Sequence, residues 1–585
     1  MKILLVAVNA KYIHSNLAVY SLKSYASKYK EQIEIAEYTI NNYVDDILGD
    51  IYKRKPDMVG FSCYIWNISM IDEIARELRK ILPDVKIWFG GPEVSYDAKE
   101  RLLEKTYIDG IFVGEGEDSF LEVLTYYIEN MGNLSEIKGI AYRENASLPG
   151  VLTDSREQLN LSLVPFPYAD IEAFHNKIIY YETSRGCPYS CSYCLSSIDR
   201  KVRFRDIDLV KRELQIFLDH NTAQVKFIDR TFNCNHSHAM AIWEYIKEHD
   251  NGITNFHFEI SADLLTLEEL DLLNSLRVGL VQLEIGVQST NQDTIEAIHR
   301  KMDLDKLAFA VNRIHEGHNI HQHLDLIVGL PYEDYDSFRN SFQEVYHLRP
   351  DQLQLGFLKV LKGSHMCEVS KEHQIVYKST PPYEVMCTKW LSYDEVLKLK
   401  QVEEMVEIYH NSGQFTNSIH YLEHKYQNPF DLYKALGDFY EQGNLLSISH
   451  ARINRYHILL EFAREFEKER DHHFAELLVY DLYLREKMKS RPSFASEVTE
   501  LDKKWCWDFY NENCNKSHYL KGYEEYNSKQ ISRMTHIEHF SIDILETVRS
   551  GAFVMKDHYV LFDYENRSPL GCEANTVDLD PSLNG

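Results

Sequence analysis

Strand-length apolar runs in the first 130 residues end at Val8, Ala36, Phe61, Phe89 and Val113, and helix-period segments separate them. Ala18, Leu22 and Tyr25 mark one such segment, Val44, Ile47 and Ile51 a second, Ile68, Ile71, Ile74 and Leu78 a third, and a further helix follows Asp118. Parallel strands need long crossovers, and right-handed crossovers place helices on both faces of the sheet. Five such units therefore predict an open, doubly wound parallel sheet. Residues 131–172 break the pattern with Pro149, Gly150, Pro165 and Pro167 and read as a linker with room for one hairpin. Alternation resumes, with candidate strands at 178–184, 223–229, 254–260, 280–285, 321–328 and 352–358. Six parallel strands predict an incomplete TIM-like barrel with an open side. Residues 391–490 read as long helices, 552–563 (AFVMKDHYVLFD) as a strand pair, and the residues from about 573 as a frayed tail. The expected fold is α/β: a doubly wound domain over 1–135, a linker over 136–172, a partial (β/α)6 barrel over 173–390 and a mostly helical domain over 391–585.

Composition narrows the function. The 585 residues exceed what one core can organise. Lys and Arg total 63 against 90 Asp and Glu, a net charge of −27, which argues against a surface that coats nucleic acid or anionic lipid. No run approaches the ~20 apolar residues of a membrane span. The start, MKILLVAVNAKYIHS, reads as a first strand rather than a leader. The ten cysteines are scattered except for three in eight residues, so the expected setting is a reducing cytoplasm.

Those three are in SRGCPYSCSYCLSS (184–197), where Cys187, Cys191 and Cys194 have the spacing C-x3-C-x2-C in a loop directly after a strand. Soft thiolates bind iron–sulfur clusters or zinc. A closed zinc site needs four ligands, and only three are offered locally. Three thiolates on a four-iron cluster leave one iron open to a ligand. The competing reading is a zinc knuckle completed by a distant residue such as Cys234.

The loop resembles the signature of the radical S-adenosylmethionine enzymes. That resemblance implies a four-iron four-sulfur cluster on Cys187, Cys191 and Cys194, with Tyr193 beside it and S-adenosylmethionine on the open iron. FIDRTFN (227–233) lacks the common glycine pair and Glu, and carries Asp229 and Arg230 as in the cobalamin-dependent branch. LEIGVQS (283–289) matches a segment that faces S-adenosylmethionine in relatives, through Glu284 and Gln288. DLIVGLP (325–331) resembles the segment flanking adenine. All of these fall at the C-terminal ends of strands, where barrels place their functional residues.

The N-terminal domain resembles the cobalamin-binding domain that precedes many such barrels. Its strand ends carry NAKYIHSN (9–16), SCYIWN (62–67), GGPEVS (90–95) and GEGEDSF (114–120). The resemblance implies cobalamin contacts from Asn9, Tyr12, Ser62, Gly90, Gly91, Pro92, Glu93, Gly114, Glu115, Gly116 and Glu117. The D-x-H-x-x-G motif that supplies a lower cobalt ligand is absent, and His14 reads as a polar loop residue. No G-x-G-x-x-G follows the first strand, and the GEGE carboxylates would repel a phosphate. Methylthio-transferring relatives carry three further N-terminal cysteines, whereas only Cys63 precedes residue 187 here, and it reads as a buried strand-end residue.

Cys367 and Cys387 read as free or structural thiols. Trp505, Trp507, Phe509 and Tyr510, near Cys506 and Cys514, read as anchors of a helical core. His472 and His473 are neighbours on a helix and do not share a face. The resemblance implies a cobalamin-dependent radical enzyme, expected to methylate an unactivated carbon or phosphorus centre of an unknown substrate. The rivals are a non-methylating rearrangement or ring-closing enzyme of the same cofactors and a non-catalytic corrinoid or zinc sensor. A reducing partner such as flavodoxin or ferredoxin is expected, with no membrane or nucleic acid. The residues performing the chemistry on substrate are not legible.

Overall fold

A computed structural model describes residues 1–143, 150–446 and 448–580, and within them the side chains of all but 513, 514 and 517. Pro149 and the side chain of Cys514 lie outside that set. Two compact bodies divide the chain. The first holds residues 1–322, 327–334 and 356–392, and the second 323–326, 335–355 and 393–585.

In the first body, five parallel strands run in the order β2-β1-β3-β4-β5: β1 Ile3–Asn9, β2 Ile33–Thr39, β3 Met58–Ser62, β4 Lys86–Gly90 and β5 Gly110–Phe112. Helices α1 Leu17–Tyr25, α2 Val44–Arg54, α3 Ile68–Ile81, α4 Ala98–Glu104 and α5 Glu117–Glu129 connect or follow them. Alternate strand residues build two cores. Leu4, Val6, Val59, Phe61, Ile87 and Phe89 pack with Ile47, Ile51, Ile71, Ile74 and Leu78. Ile3, Leu5, Met58 and Trp88 pack on the other face with Val19, Phe120, Val123 and Leu124. The spacing of α3 explains its place, because Ile71, Ile74, Ala75 and Leu78 form one stripe and all are fully buried. Truncating one of those side chains to Ala costs ~2–5 kcal/mol. The strand order reverses direction between β1 and β3, which opens a crevice beyond their carboxyl ends.

The expected linker has a more definite role. Strands β6 Ile140–Tyr142 and β7 Val151–Leu152 add antiparallel to the β5 edge of the sheet. An antiparallel hairpin needs no crossover helix, so it extends the sheet from a short segment.

The second sheet has six strands in sequential order: β8 Ile179–Tyr181, β9 Gln224–Phe227, β10 Asn255–Ile260, β11 Val281–Gln288, β12 His321–Val328 and β13 Gln352–Phe357. The pairs β8–β9, β9–β10 and β10–β11 are parallel, with Tyr180 opposite Lys226, Lys226 opposite His257, and Glu259 opposite Glu284.

In the second body, helices at Tyr393–Val406, Pro429–Gln442, Arg452–Glu467 and Asp471–Arg485 precede an antiparallel sheet of β14 Thr535–Ile542, β15 Met555–Arg567 and β16 Ala574–Leu579. Residues 552–563 are thus not a strand pair: 555–563 open the single strand β15. The expected tail from 573 is corrected too, since Ala574–Leu579 pairs along β15 and supplies Leu579 to the core. Phe509 is fully buried, but Trp507 is 68% exposed and anchors nothing, because its helix turns that face to solvent. Among the described residues no helix is long and apolar enough to cross a membrane.

Candidate functional site

The cysteine loop leaves β8 through Thr183–Arg185, and Ser184–Arg185 pairs antiparallel with Arg203–Phe204. Gly186 has φ +98°, and a Cβ there would lie 2.7 Å from the Lys201 carbonyl, so no other residue fits the turn. Main-chain bonds then fix the loop: Cys187 N donates to Asp199 O at 2.9 Å, Ser192 N to Ile298 O at 2.8 Å and Cys194 N to Cys191 O at 3.1 Å. Cys187 and Cys191 are buried and Cys194 is half-buried. Burial pushes the Cys191 thiol up, the Arg300 charge opposes that, and Cys194 and Cys187 add to it.

Asp229 is fully buried beneath the loop. Its carboxylate accepts from Thr183 N at 3.0 Å, Thr183 Oγ1 at 2.6 Å and Ser184 Oγ at 2.6 Å. Burial pushes its pKa up to about 6 against the pull of those bonds. Instead of opening to a ligand, Asp229 anchors the residues that lead into the cysteine loop. Tyr193 is met by Arg300, whose Nη1 is 3.4 Å from the Tyr193 hydroxyl and 3.9 Å from Cys191 Sγ, while Nη2 donates to Gly286 O. Gln288 sits at φ +73°, and its buried carbonyl oxygen has no hydrogen-bond partner. A strained residue holding an unsatisfied acceptor marks a place where a ligand completes the site.

Two adjoining cavities open beyond the strand ends, sharing Leu17, Tyr64, Pro92 and Ile228 in their walls. The first, about 400 Å³, is lined by Ser62, Gly90, Gly91, Pro92, Gly114, Glu115, Gly116 and Glu117, with Leu5, Phe61, Trp88 and Phe112 as apolar wall. Glycine is required at 91, where φ is +122° and a Cβ would lie 2.4 Å from the Cys63 carbonyl. The Glu115 and Glu117 carboxylates do not face a free cavity. Glu115 pairs with Arg203 and Arg185, and Glu117 with Arg185 at 2.8 Å, which ties this edge to the residue preceding Gly186.

The second cavity, about 530 Å³, has Asn9, His14, Glu93 and Lys362 on its wall, together with Tyr180, Lys226, Arg230 and Glu259 from the barrel. It reaches Leu195, next to Cys194. The loop after β1 is joined to the barrel: Ile178 N donates to Ile13 O at 2.7 Å and Ser15 Oγ to Ile178 O at 2.9 Å. His14 Nδ1 lies 2.8 Å from the Tyr180 hydroxyl, and burial, then Lys11 and Lys226, hold its pKa below the ordinary value. Glu284 lies between Lys226 Nζ at 2.8 Å and His257 Nε2 at 3.0 Å. Burial pushes its carboxyl up, and the two cationic contacts more than offset that, leaving it well below the usual range.

The two cavities gather the residues expected of the N-terminal site except Tyr12, which is 71% exposed, with Lys177 Nζ 5.7 Å above its ring, because its loop turns outward while bonding to Ile178. Of the expected barrel residues, Tyr193, Asp229, Glu284 and Gln288 line neither cavity. Glu93 is buried and accepts from the Tyr383 hydroxyl. Sequence reasoning missed Tyr180, Lys226, Glu259, Lys362 and Arg300, and undervalued His14. A signal existed for the barrel residues, since each alternates with buried apolar neighbours in strands that should be apolar on both faces.

The donor sets suit the expected groups. Three thiols on one backbone-locked loop match a cluster that presents a separate iron to each. Among the described residues no three His, Cys, Asp or Glu side chains converge as a single zinc ion would require. The glycine-lined, largely apolar cavity suits a bulky cofactor brought against backbone.

Comparison with known proteins agrees. Residues 3–124 match the B12 binding domain, 181–345 the Radical SAM superfamily, and 371–562 a protein family of unknown function, DUF4080. The cobalamin-dependent radical SAM methyltransferase TokK of Streptomyces tokunonensis is 28% identical over 354 residues, 56% of this chain and 50% of that protein. The chain spans about half the length of the curated relatives it matches. The solved structure of the cobalamin-dependent S-adenosylmethionine radical enzyme OxsB, with aqua-cobalamin and S-adenosylmethionine, superposes with TM-score 0.58 at 16% identity, covering 82% of this chain and 83% of that one. TsrM from Kitasatospora setae, with cobalamin and a [4Fe-4S] cluster, gives 0.53 at 17%, covering 65% and 80%. The chain thus carries a match to a B12 binding domain followed by a match to the Radical SAM superfamily, and shares the fold of OxsB.

Proposed function

We propose that this protein is a cobalamin-dependent radical S-adenosylmethionine enzyme that methylates an unactivated carbon or phosphorus centre. The observation that carries the reading is the cavity of about 530 Å³ that extends from Leu195, beside the cysteine loop, to the wall it shares with the glycine-lined cavity. In this reading Cys187, Cys191 and Cys194 hold a four-iron four-sulfur cluster, Glu284 and Gln288 face S-adenosylmethionine, and Ser62, Gly90, Gly91, Pro92, Gly114 and Gly116 line the cobalamin site. When bound, these groups supply one-electron cleavage of S-adenosylmethionine and a transferable methyl group.

The chain's own residues do the rest. Asp229 and the Ser192–Ile298 bond fix the loop. Arg185 ties that loop to the N-terminal domain through Glu117. The Lys226–Glu284–His257 network neutralises Glu284 in the barrel interior. His14 is bonded through Nδ1 to the Tyr180 hydroxyl, which orients its ring in the wall of the second cavity. A reducing protein such as flavodoxin or ferredoxin supplies the electron, and the protein works in the cytoplasm.

The test is anaerobic reconstitution with iron, sulfide, cobalamin, reductant and S-adenosylmethionine carrying a labelled methyl group. Formation of 5′-deoxyadenosine is expected, with label passing to cobalamin. A cluster verified by spectroscopy that yields no 5′-deoxyadenosine refutes the reading. Label that reaches cobalamin but never a product, once the substrate is known, refutes methyl transfer alone.

A further inference from the structure

We propose that the cavity of about 530 Å³ takes a substrate bearing an oxyanion, a carboxylate or phosphate monoester, and that Arg230 grips it. The proposal rests on the functional reading above, in which this cavity is the reaction chamber.

The argument begins with which cations of the cavity wall are already neutralised. Lys226 is held by Glu284 at 2.8 Å. Lys362 is held by Asp97 at 2.6 Å, with Glu93 at 3.8 Å. Arg230 differs, since it meets Glu259 only at 3.9 Å and its side chain is 53% exposed. A guanidinium at that distance makes no close hydrogen bond to the carboxylate and keeps its planar fork of donors for an oxyanion, which it matches in a bidentate way.

The backbone beneath Arg230 is fixed, while its half-exposed side chain meets Glu259 only at 3.9 Å. Its neighbour Asp229 is fully buried and held by Thr183 and Ser184, at the end of β9. A fixed base beneath an exposed guanidinium fork suits a recognition residue. His14, joined through Nδ1 to the Tyr180 hydroxyl at 2.8 Å, lines the same space. Of the other acceptors on the wall, Glu93 takes a bond from Tyr383 and the Asn9 oxygen one from Asn16, while the Glu259 carboxylate stands 3.9 Å from Arg230. In a chain of net charge −27, a loosely paired cation in a concave site is a local feature and not a general one.

The test uses holoprotein loaded with cluster, cobalamin and S-adenosylmethionine. Calorimetric titration compares benzoate with benzamide and phenyl phosphate with benzyl alcohol. We expect at least one anion to bind ~10-fold or more tightly than its neutral counterpart, as a charged hydrogen-bond pair implies. Arg230→Gln should abolish the preference and Arg230→Lys retain part of it, with iron content and circular dichroism unchanged in both. Preference for benzoate alone assigns a carboxylate, and for phenyl phosphate alone a phosphate. Equal binding of charged and neutral probes, binding of none, or a preference that survives in Arg230→Gln overturns the proposal. Assay of 5′-deoxyadenosine on the same preparation separates the outcomes. Its formation without anion preference removes only the substrate class, and its absence removes the functional reading while leaving the anion site intact.

Discussion

The N-terminal sheet and the barrel sheet are built from the same parallel strand, yet they treat its two faces in opposite ways. Every residue of β1 from Ile3 to Asn9 is buried, because helices cover both sides. In β11 buried and half-buried residues alternate from Val281 to Gln288, with Glu284, Gly286 and Gln288 on the less covered face. A sheet sandwiched between helices has no room for charge except at its strand ends, so its ligand site consists of loops and glycines. A barrel open on one side keeps an interior face, and there Tyr180, Lys226, His257, Glu259 and Glu284 assemble in register. One sheet offers a shape to a ligand and the other a set of charges.

That contrast can be attacked experimentally. The largest effect is expected from Cys191→Ala, which in the proposed reading removes a cluster ligand outright. Iron content and 5′-deoxyadenosine formation should fall together by at least ~100-fold, more than loss of an outer contact to a metal site gives. Gly91→Ala should come next. Its Cβ meets the Cys63 carbonyl at 2.4 Å, so cobalamin retention should be lost and the apoprotein melt lowered by ~1–3 kcal/mol. If Gly91→Ala retains cobalamin normally, the N-terminal site does not depend on close backbone approach.

Glu284→Gln tests the charged interior. Removing one partner of this partly buried network should destabilise the apoprotein by ~1–3 kcal/mol in chemical denaturation near neutral pH. The folded carboxyl lies below its unfolded value, so this stability is present above the unfolded pKa near ~4.3 and is lost as pH falls through the folded one. The gap between wild type and variant should therefore persist at pH 5 and narrow only in strong acid. The smallest effect is expected from His14→Phe, which loses one hydrogen bond to Tyr180, ~0.5–1.5 kcal/mol, and should leave the cobalt spectrum unchanged. A changed spectrum would move His14 from the substrate wall to the metal.

The same contrast explains what could be read from sequence. Apolar runs marked four of the five N-terminal strand ends to within one residue, whereas β2 continues through the half-buried residues to Thr39, three beyond Ala36. The cysteine loop was legible because its ligands are neighbours in sequence. The charged interior was not, because Tyr180, Lys226 and Glu284 come from three strands and each looks like an ordinary polar position alone. Tyr12 misled because a motif names a residue without saying which way it points. The C-terminal strand β16 was missed because the polar segment ANTVDL (574–579) pairs through backbone and buries mainly its two ends.

The bonds joining Ile13 and Ser15 to Ile178 are made chiefly by main-chain atoms. Such atoms are identical in every amino acid, so mutation can rewrite the side chains of this segment freely while the two halves stay aligned. Insertions and deletions enjoy no such freedom. Descendants of this chain should therefore vary in the letters between Asn9 and Asn16 far more than in their number.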